Sequence, residues 1–118
     1  AGVSPDEVDS VNAHGTSTPL NDVAEARTLR RVLGHTASVT STKGVTGHAL
    51  GAAGAIEAAF AVLTVEHGVV PPTANLDSQD PEVELDVVGK AAREGRVEVV
   101  MSDSFGFGGQ NAVLVVTA

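Results

Sequence analysis

Four histidines, His14, His35, His48 and His67, are the side chains in this 118-residue sequence best suited to proton transfer or hydrogen-bond catalysis near neutrality. No cysteine accompanies them, which excludes a disulfide scaffold, a cysteine-based zinc site and a thiol nucleophile carried by this chain. The histidine spacings are irregular, so a metal site would need distant parts of the chain to converge, and none is expected. His35 and His67 stand beside glycines where helices end and read as solvated histidines favoured by the helix dipole.

His14 and His48 differ. His14 directly follows a strand-like run, in Asn12-Ala13-His14-Gly15-Thr16-Ser17-Thr18. A side chain at the carboxyl end of a strand in an α/β sheet lies where such folds place ligands. Gly15 permits a tight turn, and three hydroxyls crowd beside the imidazole. Those hydroxyls would equally well cap the next helix, and both readings stay open. His48 follows a strand and a glycine turn and is expected to open a helix. The positive end of that helix would disfavour the imidazolium and leave a neutral, donating ring. Lys43, five residues earlier, could pair with a carboxylate or bias the charge of a pocket.

Two glycine-rich stretches add to this. Gly47, Gly51 and Gly54 suggest the glycine turn of nicotinamide-binding short-chain dehydrogenases. The spacing is off by one, no acidic residue follows at the right distance, and the chain has no tyrosine for that chemistry. Close helix packing is the simpler use. Phe105-Gly106-Phe107-Gly108-Gly109 places two of the three phenylalanines on one connection. Aromatics there could gate an apolar pocket and free N–H groups could bind an oxyanion, or the rings could belong to the core.

These groups need elements to hold them. Val8–Ala13 and Ala37–Ser41 read as strands, with a helix between them that Thr18 caps, Pro19 begins and Gly34 ends. Lys43–Gly47 reads as a turn. A buried helix follows, from His48 to about Gly68. Pro71-Pro72 forces an extended segment, residues 77–86 form an acidic loop, and β runs at Val97–Met101 and Ala112–Thr117 make a hairpin. The order β-α-β-α-loop-β-β predicts one α/β unit with a mixed sheet. The 42% apolar content suffices for a core, while a net charge of −8 with 3% aromatics argues against nucleic acid. Ala49–Val65 is apolar, but it is 17 residues with Glu57 inside it, short of the roughly 20 that a span needs, so no membrane is expected. The acidic, turn-like start carries no secretory pattern.

Taken together, four segments in order resemble β-ketoacyl-acyl-carrier-protein synthases of the KAS I/II type, in the thiolase superfamily. They are His14-Gly15-Thr16-Ser17-Thr18-Pro19-Leu20-Asn21-Asp22, Ser41-Thr42-Lys43 with Thr46-Gly47-His48 and Gly51-Ala52-Ala53-Gly54, Pro71-Pro72-Thr73-Ala74-Asn75-Leu76, and Ser104-Phe105-Gly106-Phe107-Gly108-Gly109. Modular polyketide ketosynthases resemble the chain less, having Gly at the position of Ser17 and Asn-Ile-Gly-His in place of Val45-Thr46-Gly47-His48. The resemblance implies a thiolase-like α/β fold with residues 1–118 as its C-terminal half, a piece of a longer chain. The nucleophilic cysteine would lie in the N-terminal half, so this chain alone is expected to be inactive.

The implied reaction is a decarboxylative Claisen condensation of acyl and malonyl thioesters. A noncatalytic partner subunit that sets chain length is the alternative. By resemblance, His14 and His48 stabilise the enolate, and Lys43 tunes the charge beside them, paired with Glu25. Thr16 and Thr18 bind the pantetheine arm. The Phe107 N–H contributes to the oxyanion hole, and its ring gates the acyl pocket with Phe105 in support. Asp22, Gly108 and Gly109 hold the loops. No cofactor is implied, since the phosphopantetheine arm is carried by the acyl carrier protein. The implied partners are that carrier protein, the N-terminal half and a second subunit, in a homodimer or heterodimer, and the implied location is the cytoplasm. Asp103, Gly44 and Gln110 depart from the family pattern, which usually has Asn, Ser and Thr or His at these places. Arg27, Arg30 and Arg31 are the only basic cluster and read as a solvated helix face.

Overall fold

Alternation of apolar and polar residues gives the central strands two different faces. In the computed structural model, which describes all 118 residues, β1 (Ser10–Asn12) and β2 (Ser38–Thr40) are buried on both sides. Between them runs α1 (Pro19–Leu33). Its N-terminus is built as the sequence predicts: the Thr18 hydroxyl accepts from the Asn21 N–H at 3.3 Å, and Pro19 supplies the first helical φ. Gly34, at φ 68°, ends it. Leu29 and Leu33 of α1 pack on Val8, Val11, Ala13, Ala37 and Val39 to form the core, with Leu85, Val99 and Met101 at its margin.

After β2 come a one-turn helix α2 (Lys43–Thr46), a 3₁₀ turn (Leu50–Ala52) and α3 (Ala53–His67). The short strands β3 (Val69–Val70), β4 (Asp86–Val87) and β5 (Arg93–Glu94) precede a long hairpin of β6 (Val99–Gly106) and β7 (Gln110–Thr117). The main sheet has the order β4-β2-β1-β6-β7. β1 is parallel to both β2 and β6, β2 is parallel to β4, and β6 and β7 are antiparallel from Val99 opposite Thr117 to Gly106 opposite Gln110. β3 and β5 form a separate antiparallel pair. The mixed sheet expected from the element order is present. α3 packs on the face opposite α1, chiefly against β6.

Several details differ from the sequence reading. Lys43–Thr46 is a helical turn rather than a loose one. α3 starts five residues after His48, because Leu50 adopts φ 50°, which a right-handed helix cannot contain. The helix expected to be buried on all sides buries only one stripe, Ala53, Glu57, Ala61 and Thr64. These small and polar residues face the sheet, leaving Val62 and Leu63 half exposed, since nothing in this chain covers the outer face. With its preceding turn the helix runs over Leu50–His67, 18 residues of mean hydropathy 1.2, and by length and composition is long and apolar enough to cross a bilayer. Phe105 and Gly106, read as loop, belong to β6, so the connection to β7 is only the 3₁₀ turn Phe107–Gly109. The acidic stretch ends in β4, whose Asp86 pairs with Arg93.

Candidate active site

The carboxyl ends of β1, β2 and β6 converge, and the turns that leave them carry the polar residues singled out in the sequence. His14 leaves β1 and is buried. The Glu25 carboxylate on α1 fixes its backbone, accepting the N–H of His14 at 2.8 Å and of Gly15 at 2.9 Å, with the Asn21 amide donating to the same carboxylate at 3.1 Å. Gly15 is at φ 43°, and a Cβ there would stand 2.5 Å from Ser41 Oγ, so the turn admits no side chain. Ser41 Oγ in turn donates to the Gly15 carbonyl at 3.1 Å, tying the β1 turn to the β2 turn.

His48 meets His14 edge-on, with ring centroids 5.4 Å apart and planes at 89°. The Phe105 ring lies 5.6 Å from His14 on another side. The Leu50 N–H donates to His48 Nδ1 at 3.2 Å, which leaves Nε2 as the ring's donor. The contact requires Leu50 to hold its positive φ, a strained conformation for a leucine, and its side chain is exposed. His48 is itself exposed and lies outside the helix, so the helix-start argument made from the sequence does not apply to it. His14 carries the electrostatic signature instead. Burial pushes its pKa down, and Lys43 and His48 push in the same direction, with Asp22 opposing. His14 Nδ1 is buried without a partner in this chain.

Lys43 does not pair with Glu25. Its ammonium is bound to the Glu57 carboxylate of α3, both side chains buried, while Glu25 is occupied by N–H donors on the α1 side. Sequence reasoning noted Glu57 only as a charge within an apolar helix. That oddity was the available signal, because a carboxylate in such a helix needs a buried cation. Asn12 was missed as well: its amide bonds Thr42 Oγ1 at 3.1 Å and accepts the Thr42 N–H at 3.3 Å, joining the end of β1 to the start of α2. Gly44, one of the departures, lies under the extended segment that follows Pro72, where a Cβ would come within 2.4 Å of the Ala74 carbonyl oxygen.

Thr18 caps α1, and its hydroxyl is 3.1 Å from that of Thr16. The cap reading therefore holds for Thr18, while the histidine beside it is paired with His48. Asp22 accepts the Ser17 N–H at 3.1 Å and keeps Ser17 at φ 59°. Thr16, Thr18, Lys43 and His48 line an open cavity of about 740 Å³ that runs beneath residues 73–87. Phe107 is fully exposed and closes no pocket in this chain; Gly108 and Gly109, both at φ 76°, shape its turn. Asp103, on β6, is fully buried, and its pKa is pushed up to about 7 by burial and by Glu25.

Comparison with known proteins matches residues 1–77 to the β-ketoacyl synthase C-terminal domain. The 3-oxoacyl-[acyl-carrier-protein] synthase 2 of Coxiella burnetii is 49% identical over 99% of this chain and 29% of its own length. The ishigamide ketosynthase/chain length factor superposes with a TM-score of 0.96 at 40% identity, covering 99% of this chain and 29% of that one. A type II polyketide ketosynthase, solved with its acyl-carrier protein and bound to the hexaketide, superposes with a TM-score of 0.93 at 36% identity, covering 98% and 29%. The chain thus spans under a third of the length of these relatives.

Proposed function

Since the chain belongs to the β-ketoacyl synthase family, as its C-terminal domain, we propose that it is the enolate-stabilising C-terminal part of a 3-oxoacyl-[acyl-carrier-protein] synthase. The observation that carries this reading is the edge-on His14–His48 pair, with the His48 tautomer set by Leu50. In the proposed reaction a malonyl thioester loses CO₂, and the electrons of the broken C–C bond pass to an enolate. The ring N–H groups of His14 and His48 donate to the enolate oxygen. Donors fixed in place before charge develops lower the barrier most. The enolate carbon then attacks an acyl-cysteine thioester and expels the thiolate, with the cysteine supplied by the remainder of the protein.

Lys43, held by Glu57, keeps a positive charge near His14 and so favours its neutral ring. Thr16 and Thr18, at the cavity mouth, hydrogen-bond the pantetheine arm. The Phe107 N–H contributes to the oxyanion hole, and its exposed ring closes the acyl pocket once the rest of the protein is present. That remainder would also cover the outer face of α3. The partners are an acyl carrier protein, which brings the phosphopantetheine so that no separate cofactor is needed, and a second subunit. The setting is the cytoplasm. Alone, the 118 residues do not condense, having no thiol.

The test is decarboxylation of malonyl-carrier protein by the full-length protein. The His14→Ala/His48→Ala double variant is expected to lose about 10³-fold or more in kcat, given that one such donor is worth roughly 10²–10³. Wild-type rates in that variant would overturn the reading.

A further inference from the structure

Asn12 and Thr42 have no part in the proposed chemistry, yet each stands close in the chain to residues that do. Asn12 comes two positions before His14, and Thr42 comes directly before Lys43 and six positions before His48. The backbone ladder between β1 and β2 closes with the Ala13 N–H donating to the Thr40 carbonyl at 2.8 Å. Beyond it, side chains join the two turns. Ser41 Oγ donates to the Gly15 carbonyl at 3.1 Å in a partly buried place. The deeper tie is Asn12 to Thr42. The Asn12 amide donates to Thr42 Oγ1 at 3.1 Å, and Asn12 Oδ1 accepts the Thr42 N–H at 3.3 Å. The two residues are 3% and 2% exposed. Thr42 stands at the N-terminus of α2, but its hydroxyl caps nothing there and serves Asn12. From Thr42 to Gly47 the chain is one closed turn: the Thr42 carbonyl accepts the N–H groups of Val45 and Thr46 at 3.0 and 3.1 Å, and the Lys43 carbonyl accepts that of Gly47 at 2.9 Å.

We propose that Asn12 is a positioning residue: its amide clasps Thr42 and, through the closed turn of α2, fixes Lys43 and His48 at their separation from His14. An asparagine suits the task because it offers a donor and an acceptor side by side, matched to the hydroxyl and the N–H of one residue. Breaking either bond strands a buried polar group, so Thr42 stays where Asn12 holds it. A displacement of Thr42 is passed along the turn to Gly47 and the imidazole that follows. Two donors act together on one developing charge only if their spacing is set beforehand. The kinetic consequence rests on the function proposed above; the placement of α2 by Asn12 does not.

The experiment compares the full-length wild type with Asn12→Ala, Thr42→Val, Thr42→Ser and the Asn12→Ala/Thr42→Val double variant. For decarboxylation of malonyl-carrier protein, Asn12→Ala and Thr42→Val are each expected to lower kcat about 10- to 100-fold, the cost of misplacing a group by about 1 Å. Neither residue lines the cavity, so KM is expected to hold. Thr42→Ser keeps both the hydroxyl and the N–H and should retain the wild-type kcat. The two residues make one contact, so the double variant should lose no more than the worse single variant. In a crystal structure of Thr42→Val, the His14–His48 ring centroids, 5.4 Å apart in the wild type, should stand farther apart. A purely structural role would lower stability and leave the folded protein's kcat and the histidine separation unchanged, which would overturn the proposal. Losses that multiply in the double variant, or a Thr42→Ser kcat as low as that of Thr42→Val, would overturn it too. If Asn12→Ala does not fold, Thr42→Val, which keeps the side-chain shape, decides. A wild type without decarboxylase activity, whose histidine pair nevertheless separates in Thr42→Val, would count against the proposed function and leave this inference standing.

Discussion

Lys43 and Glu57 form a buried ion pair, so each depends on the other. Glu57→Ala strands a buried ammonium and is expected to cost about 3–5 kcal/mol, measured by urea unfolding of the full-length protein. His14 gives a pH dependence of definite sign. Its native pKa lies below the ordinary 6.5 because of burial, so the folded state binds the proton more weakly than the unfolded chain. The stability it contributes is intact above that value and is lost as pH falls through the native pKa. The His14 ring is expected to titrate below 6.5 by NMR, and a midpoint above it would contradict this. At this scale the sequence was informative where a polar residue sits next to a turn, as at His14, Lys43 and His48. It was silent on pairings set by packing: Lys43 with Glu57 across 14 positions, and Asn12 with Thr42 across 30.

Among the elements, α1 was legible in full, because its cap, first-turn proline and terminal glycine are local signals. Thr18→Ala is expected to cost about 1 kcal/mol of stability, read from thermal melts, as for other cap losses. Gly15→Ala has a harsher basis, combining positive φ with a clash against Ser41. It should destabilise by about 1–3 kcal/mol and lower the decarboxylation rate further, since the same turn carries His14. The start of α3 was misplaced because nothing in Gly47-His48-Ala49-Leu50 announces a leucine at positive φ. Its burial was overstated because an apolar run does not say which side meets a sheet and which waits for a partner. β6 was cut short at Met101 because Ser102, Asp103 and Ser104 read as turn residues, although Ser102 and Asp103 are buried in the sheet.

For the molecule as a whole, the alternation of strands and helices gave the α/β class and the mixed sheet, while the strand order needed the structure. Val62 and Leu63 on α3 and Val113 and Leu114 on the edge strand β7 leave apolar surface open to solvent. The 118-residue chain by itself should therefore self-associate, which sedimentation velocity would register as species above the monomer. A monodisperse monomer would count against it.

The central strand of the sheet has a further consequence, for the time at which the fold can form. β1 is flanked by β2 and by β6, and Asp9 beside it accepts the N–H groups of Glu98 and Val99, which lie 89 and 90 positions along the chain. As the polypeptide leaves the ribosome, β1, α1 and β2 emerge together, yet one edge of β1 stays unpaired until β6 is synthesised. Closing so long a loop is slow, and the open edge invites pairing with other nascent chains in the interval. The ties from Asp9 to Glu98 and Val99 therefore form only after most of this segment has emerged.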